Sequence, residues 1–283
     1  MNQSLKTSRP VLKISVYPRD PLIIRDGRPF GISSESGNRA YSLGWPYPQT
    51  IAGAVRTLIG NLREKQTGMN PFANPEFLDR LRQTQVLGPF PEIDGELYVP
   101  IPYDAVAYAC SDNGPPKWYA LEPRPLGFGE GTNLPHESIW PVAVPVNEKA
   151  VTKYQFWSEG SIRRWLIGRP DQAFQPRCTE GFPKEERVHI GMEHALGRAA
   201  DQMLFSTQGL VIPDVGTNSF GQCSLVALVR TPDDEIQALL GDVDVLQTFG
   251  GERRLSRFRS SLASNELRCS DAARELLSKS TGF

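Results

Sequence analysis

The stretch "CSLVALVR", Cys223 to Arg230, decides the fold class. Its apolar run is almost unbroken, which marks a central strand of a sheet. The "TPDDEIQALLG" that follows it reads as a helix. Thr231 stands where a cap belongs, Pro232 fits a first turn, and acids enrich that turn. Working outward, "VLKISVYP" (Val11 to Pro18) alternates apolar and polar residues and reads as a strand, with "PLII" extending it. "ERVHIGMEH" and "MLFSTQGLVIP" are further strands. "QVLGPFPEIDGELYVPIPYDAVAY" reads as two strands joined by a turn at Asp94-Gly95.

Helices alternate with these strands. "PQTIAGAVRTLIGNLREKQ" places Ile51, Val55, Leu58, Ile59 and Leu62 on one face, with Pro48 at its start. Gly53 and Gly60 lie on it seven residues apart. Glycine costs a helix about 1 kcal/mol relative to alanine, so close packing against the backbone is expected there. "PEFLDRLRQ" and "SEGSIRRWLIG" are shorter helices, the second capped by Ser158 and ended by Gly168. "SDAARELLSK" is a last helix, capped by Ser270. Residues 31–49, 111–150 and 169–186 show little periodicity and read as irregular. Strands, a helix, more strands and another helix imply an α+β sandwich with helices on one sheet face.

The 283 residues allow one large domain or two modest ones. With 39% hydrophobic and 22% charged residues, the composition is that of an ordinary globular protein. No apolar run approaches the ~20 residues of a membrane helix, and the first residues lack a signal-peptide core. The four cysteines form no CxxC pair, so neither a disulfide nor a zinc site is expected, and the cytoplasm is the expected compartment. The formal net charge of −1 hides an asymmetry. Residues 1–65 carry ten cations and four anions, residues 66–251 carry fourteen and twenty-four, and residues 252–283 carry seven and four. Two basic ends around an acidic middle suit a polyanion on one surface and a protein partner on another.

Two short stretches concentrate the basic chemistry. "TFGGERRLSRFR" places Gly250, Gly251, Arg253, Arg254, Arg257 and Arg259 together, and "RDGRPFG" places Arg25 and Arg28 beside Gly27. Glycine lets a backbone approach a phosphate and adopt φ > 0, and successive amides can form an anion-binding nest. Arginine adds planar, bidentate donors that also stack on bases. The alternative is a pair of tight turns with solvated arginines. Thr50 and Arg56 on the long helix are further candidates for a ligand-facing or partner-facing side. No GxxxxGK[ST] is present, which excludes a P-loop, and no GxSxG supports a hydrolase. His189 and His194 are five apart, which on a strand puts them on opposite faces and favours structural roles over a general acid–base pair. Trp118, Tyr119, Trp140, Trp157 and Trp165 cluster in the irregular middle. Core packing is expected of them ahead of base stacking.

The order "RDGRPF", "PQTIAGAVRTLIG", "GPFPEIDGELYVPIPYDAV", "RVHIGMEHALGRAADQMLFSTQGL" and "GGERR" resembles the Cmr-three family of type III-B CRISPR effector complexes, part of the repeat-associated mysterious protein (RAMP) superfamily. The resemblance runs from about Val11 to Arg254. It implies a ferredoxin-like (RRM-like) fold with long insertions, without catalytic activity, cofactor or metal. It implies that the chain holds the 5′ tag of the guide RNA and contacts the large polymerase-like subunit and neighbouring RAMP backbone subunits. The RNA-binding residues it implies are Arg25, Arg28, Thr50, Arg56, Gly250, Gly251, Arg253, Arg254 and Arg257. Residues 1–230 are expected to form one ferredoxin-like domain with insertions near 31–49 and 111–186. Residues 231–283 are expected to begin a second unit, left incomplete because the chain stops at "ELLSKSTGF" where the family continues into further strands. A guide-processing endoribonuclease of the same superfamily and a pure protein scaffold are the rival expectations.

Overall fold

Leu12, Ile14 and Val16 of the first strand, β1 (Leu12–Pro18), are all buried, as its alternation requires. The computed structural model describes residues 9–27, 39–109, 114–136, 139–143, 149–167, 174–193, 195–213 and 222–263. The described residues of Met1–Leu97 and Phe182–Glu266 form one compact unit, and those of Tyr98–Gly181 form a second. "PLII" does not extend β1. Pro18 and Pro21 lack the amide that a ladder needs, and Leu22 instead makes an isolated antiparallel bridge to Leu210.

After the two-residue β2 (Arg39–Ala40) comes α1 (Pro48–Thr67). Its stripe Ile51, Val55, Leu58 and Ile59 is fully buried, each side chain contributing roughly 1.5–3 kcal/mol of apolar transfer. Gly68, at φ 69°, ends the helix, and its amide donates to the Glu64 carbonyl at 2.8 Å. Gly60 is explained inside the chain, because a Cβ there would lie 2.2 Å from the Phe72 ring. Asn74 caps α2 (Pro75–Gln83) by accepting from the Phe77 amide. β3 (Gln85–Ile93) then turns through Asp94 and Gly95, both at positive φ, into β4 (Glu96–Pro100). This is the two-residue hairpin that the Asp-Gly pair predicts. Glu96 and Leu97 pair with β3.

In the second unit, Tyr98–Pro100 of β4 pair with β10 (Tyr154–Ser158), which also pairs with β11 (Cys178–Glu180). Between them lie β5 (Ala105–Tyr108), flanked by β6 (Lys117–Ala120) and β9 (Ala150–Val151), and the small ribbon of β7 (Glu122–Pro123) with β8 (Val142–Ala143). α3 (Glu159–Ile167) starts at Ser158, whose Oγ accepts from the Ser161 amide. Residues expected to be irregular therefore hold a core of their own. Trp118, Trp157, Trp165 and Phe174 pack together with Ala107. The rings meet edge to face, Trp118 on Trp157 at 4.8 Å and Trp157 on Trp165 at 5.0 Å, the arrangement aromatic quadrupoles favour. Trp165 Nε1 donates to the Asp104 carboxylate. Trp140 is the exception and stands about half exposed.

The chain re-enters the first unit as a long hairpin, β12 (Lys184–Glu193) with β13 (Arg198–Leu210), and β2 pairs parallel to β13. β14 (Cys223–Arg230) follows, buried from Cys223 to Val229, and lies between β3 and β1 as its apolar run requires. α4 (Asp234–Leu239), β15 (Asp244–Thr248) and β16 (Leu255–Leu262) complete the unit. The strands run in the order β3-β14-β1-β16-β15, every neighbour antiparallel, with α1 packed over β3 and against α4. The described chain thus divides elsewhere than at 230/231. β16 lies directly beside β1, so 231–263 belong to the same sheet as the first strand. The expected helix over 270–279, its cap Ser270, and Gly168 lie outside the described residues.

α4 is capped by Asp233 and not by Thr231. The Asp233 carboxylate accepts from the Ile236 amide at 2.9 Å, while Thr231 Oγ1 donates to Gln237 Oε1. Asp233 also takes two hydrogen bonds from Arg80, each 2.7 Å, tying α4 to α2. Arg80 holds the Asp233 carboxyl below the usual carboxylate range, and the Ile236 amide adds to the effect. Asp233→Ala should cost about 0.5–2 kcal/mol. Asp233→Asn keeps a capping oxygen and loses only the charge. A depressed carboxyl contributes its stability above its unfolded pKa and loses it as the pH falls, so wild type and Asp233→Asn should converge below about pH 4. Denaturant unfolding followed by far-UV circular dichroism across pH measures both.

Candidate functional site

Residues 22–25 form a short extended segment held from three sides. Leu22 exchanges two backbone hydrogen bonds with Leu210, at 2.8 and 2.7 Å. On the next side the Ile24 amide donates to Ser42 Oγ at 3.0 Å, and the Leu43 amide donates to the Ile24 carbonyl at 2.7 Å. The third side is the glycine loop, where the Gly251 amide donates to the Ile23 carbonyl at 2.7 Å. Gly250 has φ 81°, and a Cβ on either glycine would sit 3.1 Å from the Ile23 oxygen. The glycines are therefore needed for approach to the chain's own backbone. The Gly251 amide, expected to be open to an anion, is committed to Ile23.

Beyond them the turn closes on itself. Phe249 donates to the Arg254 carbonyl and Arg254 to the Gly251 carbonyl. Glu252 and Arg253 both have positive φ, at 56° and 51°, a conformation that L-residues adopt at a cost of roughly 1–2 kcal/mol. Arg253 is exposed and makes no hydrogen bond or ion pair among the described residues, and neither does Glu252.

Segment 22–25, the first turns of α1 and the end of β15 enclose a cleft of about 440 Å³. Arg25, Thr50, Thr248 and the two glycines supply its polar lining, and Ile24, Ala54 and Phe249 supply an apolar part. Among the described residues no carboxylate lines it. α1 also begins without an acidic residue in its first turn, and Tyr47 gives it no side-chain cap, so its positive dipole end lacks a counter-charge from its own first turn. Cation, hydroxyls, helix start and missing acids together suit an anionic ligand.

Four of the nine residues predicted from sequence are brought together here: Arg25, Thr50, Gly250 and Gly251. Others have different work. Arg56 points its guanidinium at the end of α2, donating to the Leu81 carbonyl at 3.0 Å and the Thr84 carbonyl at 3.2 Å. It satisfies carbonyls that a helix C-terminus leaves open, which is not a ligand-facing role. Arg257 is bidentate on Asp244 across β15 and β16, at 2.5 and 2.6 Å, and its hydrogen bonds hold the Asp244 carboxyl low. Arg254 is half-buried and adds to the charge that lowers Glu185 of β12, after the larger effect of the Arg187 hydrogen bond. Arg28 lies outside the described residues. Sequence reading missed Ile23, Ile24, Ala54, Thr248 and Phe249 as lining residues. Thr248 and Phe249 stand in the glycine stretch itself, but nothing in "PLII" signals that its carbonyl receives that loop.

The rival chemistries find little footing in the described residues. His189 stacks on Phe205, and its Nε2 is 2.9 Å from Thr207 Oγ1, an arrangement internal to the β12–β13 hairpin. His194 lies outside the described residues. Burial pushes the Cys223 thiol up to about 11 and raises Cys178 too, which keeps both protonated and poorly nucleophilic. Among the described residues no cluster of three or more His, Cys, Asp or Glu is placed to hold a metal ion, and no helix is long and apolar enough to cross a membrane.

A family model described as CRISPR-associated protein (Cas_Cmr3) matches residues 14–281. The class is thus that of CRISPR-associated proteins, and within it the chain belongs to the Cas_Cmr3 family. Among solved structures, a chain in the cryo-EM structure of the Type III-B Cmr-beta bound to cognate target RNA and AMPPnP, state 1, is similar at 14% identity and a TM-score of 0.45, over 89% of this chain and 64% of that one. A chain in the Type III-B Cmr-beta bound to cognate target RNA gives 14% and 0.46, over 91% and 66%. The chain therefore spans just under two thirds of the length of those two. No curated protein matches.

Two substitutions separate the loop's architecture from its chemistry. Gly250→Ala forces a Cβ into a left-handed position 3.1 Å from the Ile23 oxygen and should destabilise the unit by about 1–2 kcal/mol or more. Arg56→Ala should lower stability by about 1–3 kcal/mol through the two lost charged hydrogen bonds while leaving ligand affinity intact. Thermal unfolding by circular dichroism, paired with a binding titration, checks both.

Proposed function

We propose that this chain is a non-catalytic, cytoplasmic RNA-binding subunit of a type III-B CRISPR effector complex. In this reading it holds the 5′ tag of the guide RNA at the cleft and contacts the large polymerase-like subunit and neighbouring RAMP backbone subunits in antiviral defence. The observation that carries the reading is the cleft itself. Two arginine–glycine stretches more than 200 residues apart in sequence meet at the start of one helix, without a carboxylate among the described lining residues. Phosphate oxygens are the ligand that such a site prefers. Family membership supports the same reading. The path β1-α1-β3-β14-α4-β16, laid out in the order β3-β14-β1-β16, fits a ferredoxin-like RAMP unit in which 98–181 and the β12–β13 hairpin are insertions before β14, and β15 is an added edge.

A specific observation favours protein contact through the second unit. Phe128 and Tyr103 are fully exposed and Trp140 is about half exposed. Phe128 sits in a turn ordered by Glu130, whose carboxylate accepts from the Gly127 amide and pairs with Arg124. Exposed aromatics on an ordered turn are characteristic of interface anchors. The two contacts are compatible in one subunit.

Arg253→Ala tests the RNA reading, because among the described residues that side chain has no hydrogen-bond or ion-pair partner to lose. In a complex carrying the chain and its large subunit, affinity for single-stranded repeat RNA should fall. The slope of log K against log salt should become shallower by about 0.7 for each phosphate contact removed. Arg25→Ala should do the same. Unchanged affinity and slope in both variants would remove this site from the proposal.

A further inference from the structure

Gly53 of α1 has no internal packing reason among the described residues. It lies inside the helix, six positions past Tyr47, where glycine is unfavourable relative to alanine. Its φ is not in the left-handed range, and a Cβ built on it meets nothing within 4 Å. Gly60, one face-repeat further along the same helix, is the contrast, because the Phe72 ring occupies the space its side chain would take. Gly53 is exposed, and it lines the cleft together with Thr50, Ala54, Arg25 and Gly251.

We infer that Gly53 is kept bare so that the strand held in the cleft can lie directly against the α1 backbone. Gly53 is then a steric selectivity determinant of the site. This rests on the RNA reading above. Glycine in a regular element without an internal need marks close approach of another molecule's backbone. That molecule is a phosphodiester strand and not a protein segment, because the described lining joins a cation and hydroxyls and includes no carboxylate. One nucleotide unit packs over Gly53 and Ala54, with its phosphate toward Arg25 and Thr50. A methyl at position 53 would stand in the path of the sugar–phosphate chain while improving the helix.

Those opposite effects make the test decisive. Gly53→Ala and Gly53→Leu are prepared in the full chain with its large subunit and titrated with labelled single-stranded repeat RNA. Melting is followed by circular dichroism. Gly53→Ala is expected to raise the melting temperature by about 2–4 °C and to weaken RNA binding by about tenfold, with Gly53→Leu weaker still. Wild-type affinity in both variants overturns the inference and leaves the RNA reading standing. Failure of the wild-type complex to bind RNA overturns the reading and the inference together. Loss of the large subunit with RNA affinity intact assigns the bare helix face to a protein and also overturns it.

Discussion

The hydrogen bond from Gly251 to the Ile23 carbonyl is the constraint around which the cleft is organised. It joins the segment just after the first strand to the loop just before the last described one. Each side has its own ties, Leu22 to Leu210 and Ile24 to Ser42 on one and Phe249 to Arg254 on the other, and this bond closes the two together. Segment 22–25 makes isolated bridges, Leu22 to Leu210 and Arg25 to Ser42, in place of a strand ladder, and the loop must leave β15 and return along β16 within a few residues. A Cβ on either glycine would press on the Ile23 oxygen at 3.1 Å, so bare residues let the two backbones close to 2.7 Å without displacement. Once closed, the contact positions Arg25 on one wall and fixes the turn that carries Arg253. The left-handed backbone at Glu252 and Arg253 is tolerated because the hydrogen bonds of Phe249 and Arg254 over-determine the turn.

The electrostatics of the same region follow a division of labour. Arginines that stabilise the fold are already satisfied: Arg56 by carbonyls, Arg80 by Asp233, Arg257 by Asp244. Their charge is spent inside the protein and adds little to an external field. Arg253 is differently placed, exposed and without an ion pair among the described residues. A count of arginines in the glycine stretch therefore overstates its capacity to bind an anion, and the partners of each side chain decide which ones remain available.

How much of this was legible in the sequence depends on the range of the physics involved. Local rules worked: the Asp94-Gly95 hairpin, the α1 stripe, the Ser158 cap and the central position of Cys223–Arg230 all follow from neighbours a few residues apart. The α4 cap missed by two residues because Thr231 and Asp233 are both good caps, and a tertiary partner, Arg80, selects the second. In 98–181 the core role of the tryptophans and α3 were legible, but the strands were missed because they are only two to five residues long, too short to carry a periodicity. For the site, the glycines and Arg25 were visible as motifs. The commitment of Arg56 to α2, and the carbonyl that receives Gly251, depend on contacts between remote segments that no spacing rule encodes.

The tryptophan core has a practical consequence for anyone who follows this protein in solution. Of the five tryptophans, Trp118, Trp140, Trp157 and Trp165 belong to the second unit, and Trp45 alone belongs to the unit that bears the cleft. Chains with two cores need not lose them in one step. Intrinsic fluorescence is thus chiefly an optical record of residues 98–181. A spectrum that holds steady says little about the sheet, and one that changes need not mean that the cleft has opened.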